Sequence, residues 1–522
     1  MTENQRIALA LGCILLWLLW VVDLYLQYRR TLRSADRLQL SQVEDSVLIA
    51  YASQSGTAAT LARQSADHLG ASQPVTLLPL SQVSSDTLRT VRKALFVVAT
   101  YGEGEPPDNG QRFARKFLGH SSGASGEVAT LDLSHLSYSV VALGDSTYER
   151  FCAFGQRLFD GMAALGARAL NPLHKVDRAQ GDTGALASVM PAWFRASPAM
   201  THDRAPPAKQ PVIWWRLAER GLLNTGSPGA PLFELTLRAV SDWPRWRAGD
   251  VFELQPRQPR AVVADWLARH QLDANEWVVV GGRGQTLQAW LRERRLPGGR
   301  FSREKLLCGD FSEFPLLPMR EYSVASCSAE KALKLIVRQQ ADSHGNLGLG
   351  SGWLTEFCEV GELFGGRLRE NSHCHTPDHS RSLLMVGAGS GLAGLRAQLA
   401  ERAAEASVQG GAGPVWLVYG ERRAESDRPL AREVETWQQL GIISRCDRVF
   451  SRGASDQPGY VQDVLAAHAQ DLCRFLARGA DIYVCGNRDG MGQGVDRVLR
   501  QQLGDREVTS LLENGRYRRD LY

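Results

Sequence analysis

The sequence has no pair of cysteines close enough to share a metal. Its 9 cysteines (Cys13, Cys152, Cys308, Cys327, Cys358, Cys374, Cys446, Cys473 and Cys485) never come nearer than twelve residues along the chain. That excludes the CxxC spacing of zinc sites and iron–sulfur clusters. An odd, scattered set in a chain of 522 residues also argues against a secreted disulfide framework and for reducing surroundings. Net charge is scarce too: 60 Lys and Arg stand against 56 Asp and Glu, leaving +4. That is too weak and too evenly spread to point to a nucleic-acid partner. No repeat of the length that marks solenoids or propellers is present.

Long apolar runs are missing except for one. Ile7 to Val22 is sixteen apolar residues in a row. With Asp23 and Gln27 tolerated, the stretch 7–28 is long enough to cross a bilayer. Arg29, Arg30, Arg33 and Arg37 follow it, and only Arg6 precedes it. The positive-inside rule then places the N-terminus outside and the large domains in the cytoplasm. The expectation is a single-pass protein of a bacterial inner membrane. A cleaved signal peptide fits worse, because arginines stand where a small-residue cleavage site belongs.

What is abundant is alternation. From residue 46, "SVLIAY", "ALFVVATYG" and "SYSVVALGDS" are apolar runs separated by helix-like stretches. This βαβ rhythm predicts an α/β domain with a parallel sheet covered on both faces. A polar, proline-rich linker, "ASPAMTHDRAPPAKQ", follows at 196–210. Alternating strands such as "LFELTLRAV" and "DVFELQP" then suggest an antiparallel β-barrel. "ENSHCHTPDHSRS" (370–382) reads as a second linker, and "LLMVGAGSGLAGL", "PVWLVYGE" and "ADIYVCGN" restore the βαβ rhythm. His373, Cys374, His375 and His379 fall in that second linker, where no strand or helix fixes their spacing, so no metal site is assigned.

The chemistry concentrates where strands end. In "YASQSGTAATLA" (51–62), Ser53, Gln54, Ser55, Gly56, Thr57 and Ala58 lie between an apolar strand and a helix-like segment. A helix N-terminus leaves N–H groups unpaired and carries partial positive charge. Hydroxyls and a glycine there make a phosphate cradle; a serine-rich turn with a helix cap would look the same. "ATYGEGEPPDN" (99–109) and "ALGDSTYERFC" (142–152) also follow predicted strands, where open α/β sheets bind ligands. Each carries glycines and one tyrosine, Tyr101 and Tyr148. Two aromatic rings can stack on a flat ring between them, at of order 1 kcal/mol per contact.

In this order, the three loops resemble the FMN-binding flavodoxin domain of diflavin reductases, the family of NADPH–haemoprotein reductases and of the flavoprotein subunit of sulfite reductase. The resemblance implies a flavodoxin-like domain over 46–196. It places Ser53 to Ala58 at the FMN phosphate, with Tyr101 and Tyr148 flanking the flavin. The other implied contacts are Ala99, Thr100, Gly102 and Gly104 in the second loop, and Leu143, Gly144, Asp145, Phe151 and Cys152 in the third.

"REYSVAS" (320–326) and "GLGSGWL" (348–354) resemble the FAD site of the ferredoxin-reductase family. By that resemblance Arg320, Tyr322 and Ser323 contact FAD, and Gly348 and Ser351 hold its pyrophosphate, in an FAD domain spanning 211–375. "VGAGSGLAGLRAQL" (386–399) resembles the opening of the NADP-binding module, 383–522, with Gly389, Ser390 and Gly391 in its turn. "YGER" (419–422), Ser451–Arg452, "YVQ" (460–462) and "YVCGN" (483–487) belong to the same pattern. Ser451 and Arg452 match residues that read the ribose 2′-phosphate; Tyr460 and Gln462 are nucleotide contacts. A charge-assisted hydrogen bond of about 1.5–3 kcal/mol lets Arg452 favour NADPH over NADH about tenfold or more. Pro458 stands where the family usually has a lysine, which softens that preference.

Cys485, Ser323, Asp520 and Tyr522 are the implied catalytic residues. Cys485 matches a cysteine beside the nicotinamide, and "RYRRDLY" matches the sulfite-reductase form of the family's C-terminal ending. There Tyr522 stacks on the FAD ring and moves aside for hydride transfer. The resemblance departs in the middle: about sixty residues, 260–319, replace the usual large helical connecting region. The domain 46–200 is also not acidic, with 13 Lys/Arg against 12 Asp/Glu, so an acidic docking face for a basic haem protein is not evident.

The expected function is a membrane-anchored reductase passing electrons from NADPH to FAD to FMN and on to a haemoprotein or other one-electron acceptor. The alternatives are the flavoprotein component of an assimilatory sulfite reductase, a ferric-siderophore reductase and, remotely, a flavin-less membrane scaffold.

Overall fold

The computed structural model describes residues 46–54, 56–70, 73–101, 104–119, 131–144, 150–177, 212–241, 244–280, 283–299, 313–453 and 458–522. The described strands fall into two compact units, β1 to β6 and β7 to β19.

In the first unit the strands are β1 (Val47–Ala52), β2 (Val75–Pro79), β3 (Lys93–Ala99), β4 (Ser137–Gly144), β5 (Arg168–Ala169) and β6 (His174–Asp177). Their order is β2-β1-β3-β4-β5, with β6 on β4. The pairings β1–β2, β1–β3, β3–β4 and β4–β5 are parallel. β1, β3 and β4 are near-continuous apolar runs because both faces of a parallel sheet are covered. One face packs Leu48, Phe96, Val98 and Val140 against Phe113, Phe154 and Leu158. The other packs Ile49, Leu95, Val97 and Val141 against Ala58, Ala62 and Leu69 of the helix Thr57–Gly70. The strand order reverses at β1, so the loops after β1 and β3 open on one crevice, where such sheets bind ligands.

The second unit holds two larger sheets. β7 (Ile213–Leu222), β8 (Leu232–Ala239), β9 (Val251–Leu254), β12 (Arg320–Ser323), β13 (Leu333–Arg338) and β14 (Leu363–Arg369) form an antiparallel sheet in the order β12-β9-β14-β7-β8-β13. Its end strands meet through the Val324–Leu335 bridge and the 2.7 Å Ala325 N–H bond to the Lys334 carbonyl. Its core is aromatic, with Trp215 edge-on to Phe252 at 5.4 Å and Trp353 edge-on to Phe364 at 5.1 Å.

Between β9 and β12, the hairpin of β10 (Trp277–Val280) and β11 (Arg283–Thr286) and two helices, Arg260–Arg269 and Leu287–Leu291, enclose a small core of their own around Trp266, Trp290 and Phe314. The short connecting region is thus a packed element.

β15 (Leu383–Ala388), β16 (Val415–Glu421), β17 (Ile443–Phe450), β18 (Asp481–Gly486) and β19 (Tyr517–Leu521) form a five-stranded parallel sheet in the order β17-β16-β15-β18-β19. Apolar clusters cover both its faces.

Two expectations change. The stretch 370–382 is no linker: Asn371, Cys374 and Thr376 are buried. The Gln398 amide donates to the Cys374 carbonyl at 2.9 Å, and Thr376 Oγ1 donates to Gln398 Oε1 at 2.7 Å. Part of its polar composition serves buried hydrogen bonds, while Glu370, Ser372, Asp378 and Ser380 are exposed. The expected membrane span 7–28 lies outside the described residues, and no helix among the described residues is long and apolar enough to cross a membrane. The longest, Leu392–Gln409 of 18 residues, carries Arg396, Glu401, Arg402 and Glu405. No described helix supports the expected single-pass protein with its N-terminus outside, nor the membrane as a partner.

Candidate functional site

In the first unit the loops after β1, β3 and β4 converge. The Ser53 N–H donates to Asn109 Oδ1 at 3.0 Å. The Thr100 N–H bonds the Leu143 carbonyl at 2.8 Å, and the Phe154 N–H reaches Thr100 Oγ1 at 3.3 Å. Tyr101 and Glu105 exchange backbone bonds of 2.8 and 2.9 Å, closing a narrow turn. A Cβ at Gly144 would lie 2.8 Å from Cys152 Sγ and 2.9 Å from the Cys152 nitrogen. Close approach of the third loop therefore requires glycine there.

Gly56 takes φ +85°, a left-handed conformation that favours glycine, just ahead of the helix Thr57–Gly70. Ser53 Oγ and Thr57 Oγ1 are buried and have no hydrogen-bond partner among the described residues. Two orphaned hydroxyls at a helix N-terminus fit an anion, which would satisfy both. Ala58, Ala99, Phe151 and Cys152 are described beside these loops. Ser55, Gly102, Asp145 and Tyr148 lie outside the described residues. Asn109 sits inside a quoted motif, yet its role in holding Ser53 is visible only in the folded loops.

In the second unit Arg320, Tyr322 and Ser323 all lie on β12. A Cβ at Gly350 would come 2.5 Å from Tyr322 Oη and 2.7 Å from Arg320 Cγ. The loop of Gly348 and Ser351 is therefore pressed against that strand. Ser351 Oγ accepts the Gln340 N–H at 3.2 Å, and the Gly348 N–H bonds the Gln340 carbonyl at 2.8 Å.

Ser323 meets the C-terminal strand. Parallel pairing of β18 with β19 sets Cys485 opposite Asp520. Asp520 Oδ2 accepts from Cys485 Sγ at 3.4 Å and from the Tyr483 hydroxyl at 3.3 Å. The Ser323 side chain lies close enough to the Asp520 carboxylate to pull its pKa down. Desolvation raises the Asp520 carboxyl above the usual carboxylate range, against the pull of these three side chains. Burial, with the nearby Asp520 charge, raises the Cys485 thiol well above its ordinary value. Cys485 is therefore a neutral thiol at physiological pH, not a thiolate nucleophile.

The glycine turn after β15 faces the same place. A Cβ at Gly391 would lie 2.0 Å from the Cys485 carbonyl oxygen, and one at Gly394 2.7 Å from Cys485 Sγ. Gly389 has φ +58°. The Tyr522 hydroxyl donates to Ser390 Oγ at 2.8 Å, while Tyr522 remains 56% exposed. Backbone bonds tie Tyr522 to Gly486 and Arg488, each at 3.1 Å.

Ser451 and Arg452 follow β17, exposed, with their N–H groups on the Glu421 and Arg422 carbonyls at 2.8 Å each. Tyr460 is 58% exposed, and Gln462 Oε1 is buried without a partner among the described residues. Sequence reasoning missed Tyr483 and Gly394 at the Asp520 cluster. A glycine inside a helix pattern was the available signal for Gly394; Tyr483 gave none apart from its strand.

The chain is similar to known proteins in two regions. Residues 49–191 match the family described as flavodoxin, and residues 385–497 match the oxidoreductase NAD-binding domain. Over most of its length it is similar to proteins named sulfite reductase [NADPH] flavoprotein alpha-component. The relative from Bacillus subtilis (strain 168) is 24% identical over 92% of this chain and 90% of its own. That from Shewanella sp. (strain MR-7) is 26% identical over 92% and 90%. That from Yersinia enterocolitica is 26% identical over 91% and 90%.

Proposed function

This chain belongs to the diflavin reductase family, and on that premise we propose that it is the flavoprotein component of an NADPH-dependent sulfite reductase, delivering electrons to a haem-carrying partner subunit. It is an NADPH-dependent oxidoreductase that uses FMN, FAD and NADPH. When bound, NADPH supplies hydride, FAD takes the electron pair and FMN passes electrons on singly.

The residues present fit these groups. Ser53 and Thr57 would give their orphaned hydroxyls to the FMN phosphate, with Tyr101 beside its ring; Tyr148, the other expected flank, lies outside the described residues. Arg320, Tyr322, Ser323, Gly348 and Ser351 would hold FAD on the antiparallel sheet, which we read as the FAD barrel. Gly389 to Gly391, Ser451, Arg452, Tyr460 and Gln462 would hold NADPH. The boundaries follow: an FMN domain over 46–196, a linker over 197–210, an FAD domain over 211–375 with the insert 260–319, and an NADP domain over 383–522.

The single observation that carries the reading is the meeting of Ser323, Cys485 and Asp520, with Tyr522 beside the glycine turn. Two sheets contribute to that cluster, the antiparallel one through β12 and the parallel one through β18 and β19. Cys485, held neutral, and Asp520, held by Cys485 and Tyr483, would orient the nicotinamide and stabilise charge that develops on it. Tyr522, held at the glycine turn by Ser390, would lie beside the flavin. The sulfite-reductase reading rests on the names of relatives that match at least nine-tenths of this chain.

The test is direct. The purified chain should release one FAD and one FMN, bleach on NADPH addition, and support sulfide formation once a sirohaem sulfite reductase subunit is added. Bleaching and ferricyanide reduction without transfer to that subunit would remove the sulfite-reductase assignment.

A further inference from the structure

We infer that Arg396 is a positioning residue for hydride transfer, locking the sheet that carries Ser323 to the sheet that carries Cys485 and Asp520. The inference rests on the proposed reading of that cluster as the hydride-transfer site.

Arg396 stands in the second turn of the helix Leu392–Gln409, only 2% exposed. A guanidinium offers five N–H donors in a planar fork, and each has an acceptor here. Nη1 donates to the Ala325 carbonyl at 2.6 Å and to Glu330 Oε2 at 3.1 Å. Nη2 donates to Glu330 Oε1 at 2.8 Å and Glu433 Oε1 at 2.7 Å; Nε donates to Glu433 Oε2 at 3.1 Å. Both carboxylates are thus gripped at two points, the geometry that makes arginine pairs rigid.

The ends of this clamp lie next to the reacting cluster. Ala325 is two residues beyond Ser323, past the end of β12. Gly394, two residues before Arg396, approaches so closely that a Cβ there would sit 2.7 Å from Cys485 Sγ and 3.2 Å from Asp520 Oδ2. Glu330 is fixed in turn by the Cys327 N–H at 3.1 Å. Glu433 lies on the helix Ala431–Gln439, which follows β16 of the parallel sheet. A shift of the Arg396 helix would therefore move the Cys485–Asp520 pair relative to Ser323. Reacting atoms must be held within about 3–3.5 Å, and a displacement of about 1 Å costs roughly a hundredfold in rate. The Arg338–Glu421 pair, at 3.2 Å, ties the same two sheets elsewhere, so loosening the clamp should leave the fold standing.

The experiment uses the full flavin-loaded chain and its Arg396→Lys and Glu433→Gln variants. Lysine keeps the charge but cannot make two forks. An amide in place of the Glu433 carboxylate leaves the Ala325 and Glu330 bonds intact and weakens one fork. Stopped-flow flavin reduction with NADPH and with its 4-deuterated form gives the hydride rate and isotope effect. Hydrogen exchange over 323–327 and 391–396, measured without nucleotide, gives the rigidity of the clamp.

The expected result for Arg396→Lys is at least a roughly tenfold slower reduction with a larger isotope effect, KM for NADPH within about twofold, and faster exchange in both segments. Glu433→Gln should show the same changes at a few-fold level, and it decides the matter if Arg396→Lys loses flavin. Unchanged reduction and exchange, or a loss confined to KM, would overturn the inference. If the unaltered chain is not reduced by NADPH at all, the proposed function itself fails, while the exchange data still report whether the clamp exists.

Discussion

Thr57 and Ser53 show how a single side chain can be stranded by its fold. Their hydroxyl oxygens are buried with no partner among the described residues, a cost of about 1–3 kcal/mol each until an acceptor or donor arrives. Thr57→Val removes one such group with little change of shape. The flavin-free protein should be as stable or slightly more so, while FMN affinity falls about tenfold, or about 1.4 kcal/mol. Fluorescence titration with FMN checks this; equal affinity would take Thr57 out of the phosphate site. The hydroxyls were legible in "SQSGT" because a strand-to-helix turn is recognisable from composition. Asn109, which aligns Ser53, was not, because its partner lies 56 residues away. Asp520 and Cys485 entered through family resemblance; their pairing comes from strand register.

At the scale of elements, most of the basic C-terminal segment "RYRRDLY" is strand β19. Arg518 is 1% exposed, and both its terminal nitrogens lie 3.1 Å from Asp481 Oδ2. That buried pair lets a charged segment join a parallel sheet, because each charge finds its opposite there. β19 delivers Asp520 to the thiol and Tyr522 to Ser390. Deleting Tyr522 should leave β19 paired and alter the NADPH/NADH ratio or the release of NADP⁺. Unchanged steady-state kinetics with both nucleotides would refute its placement. In the segment 370–382, Asn371, Cys374, His375 and Thr376 are taken up by Asp250 and Gln398, which its polar composition did not reveal.

Across the whole molecule, acid should act through His373. Desolvation, then the Arg518 charge, pushes its imidazole down to about 4, against a smaller opposite effect of Asp520. The folded chain therefore keeps this histidine neutral where the unfolded chain protonates it. Stability contributed this way is full above the ordinary histidine value of about 6.5, drains as pH falls toward 4, and changes little below that. The loss is on the order of 1–3 kcal/mol. His373→Gln should flatten that part of a melting-temperature curve of the second unit. A curve of the same slope in both proteins would exclude His373.

The order of modules, the strands and the glycine turns were determined by the sequence alone, because apolar periodicity and turn chemistry act over neighbouring residues. Only the tertiary structure decided which of those residues meet. Ser323, Cys485 and Asp520 come from separate strands, and Arg396 finds acceptors 37, 66 and 71 residues away. Such contacts depend on register and sheet packing, which no local pattern of residues encodes.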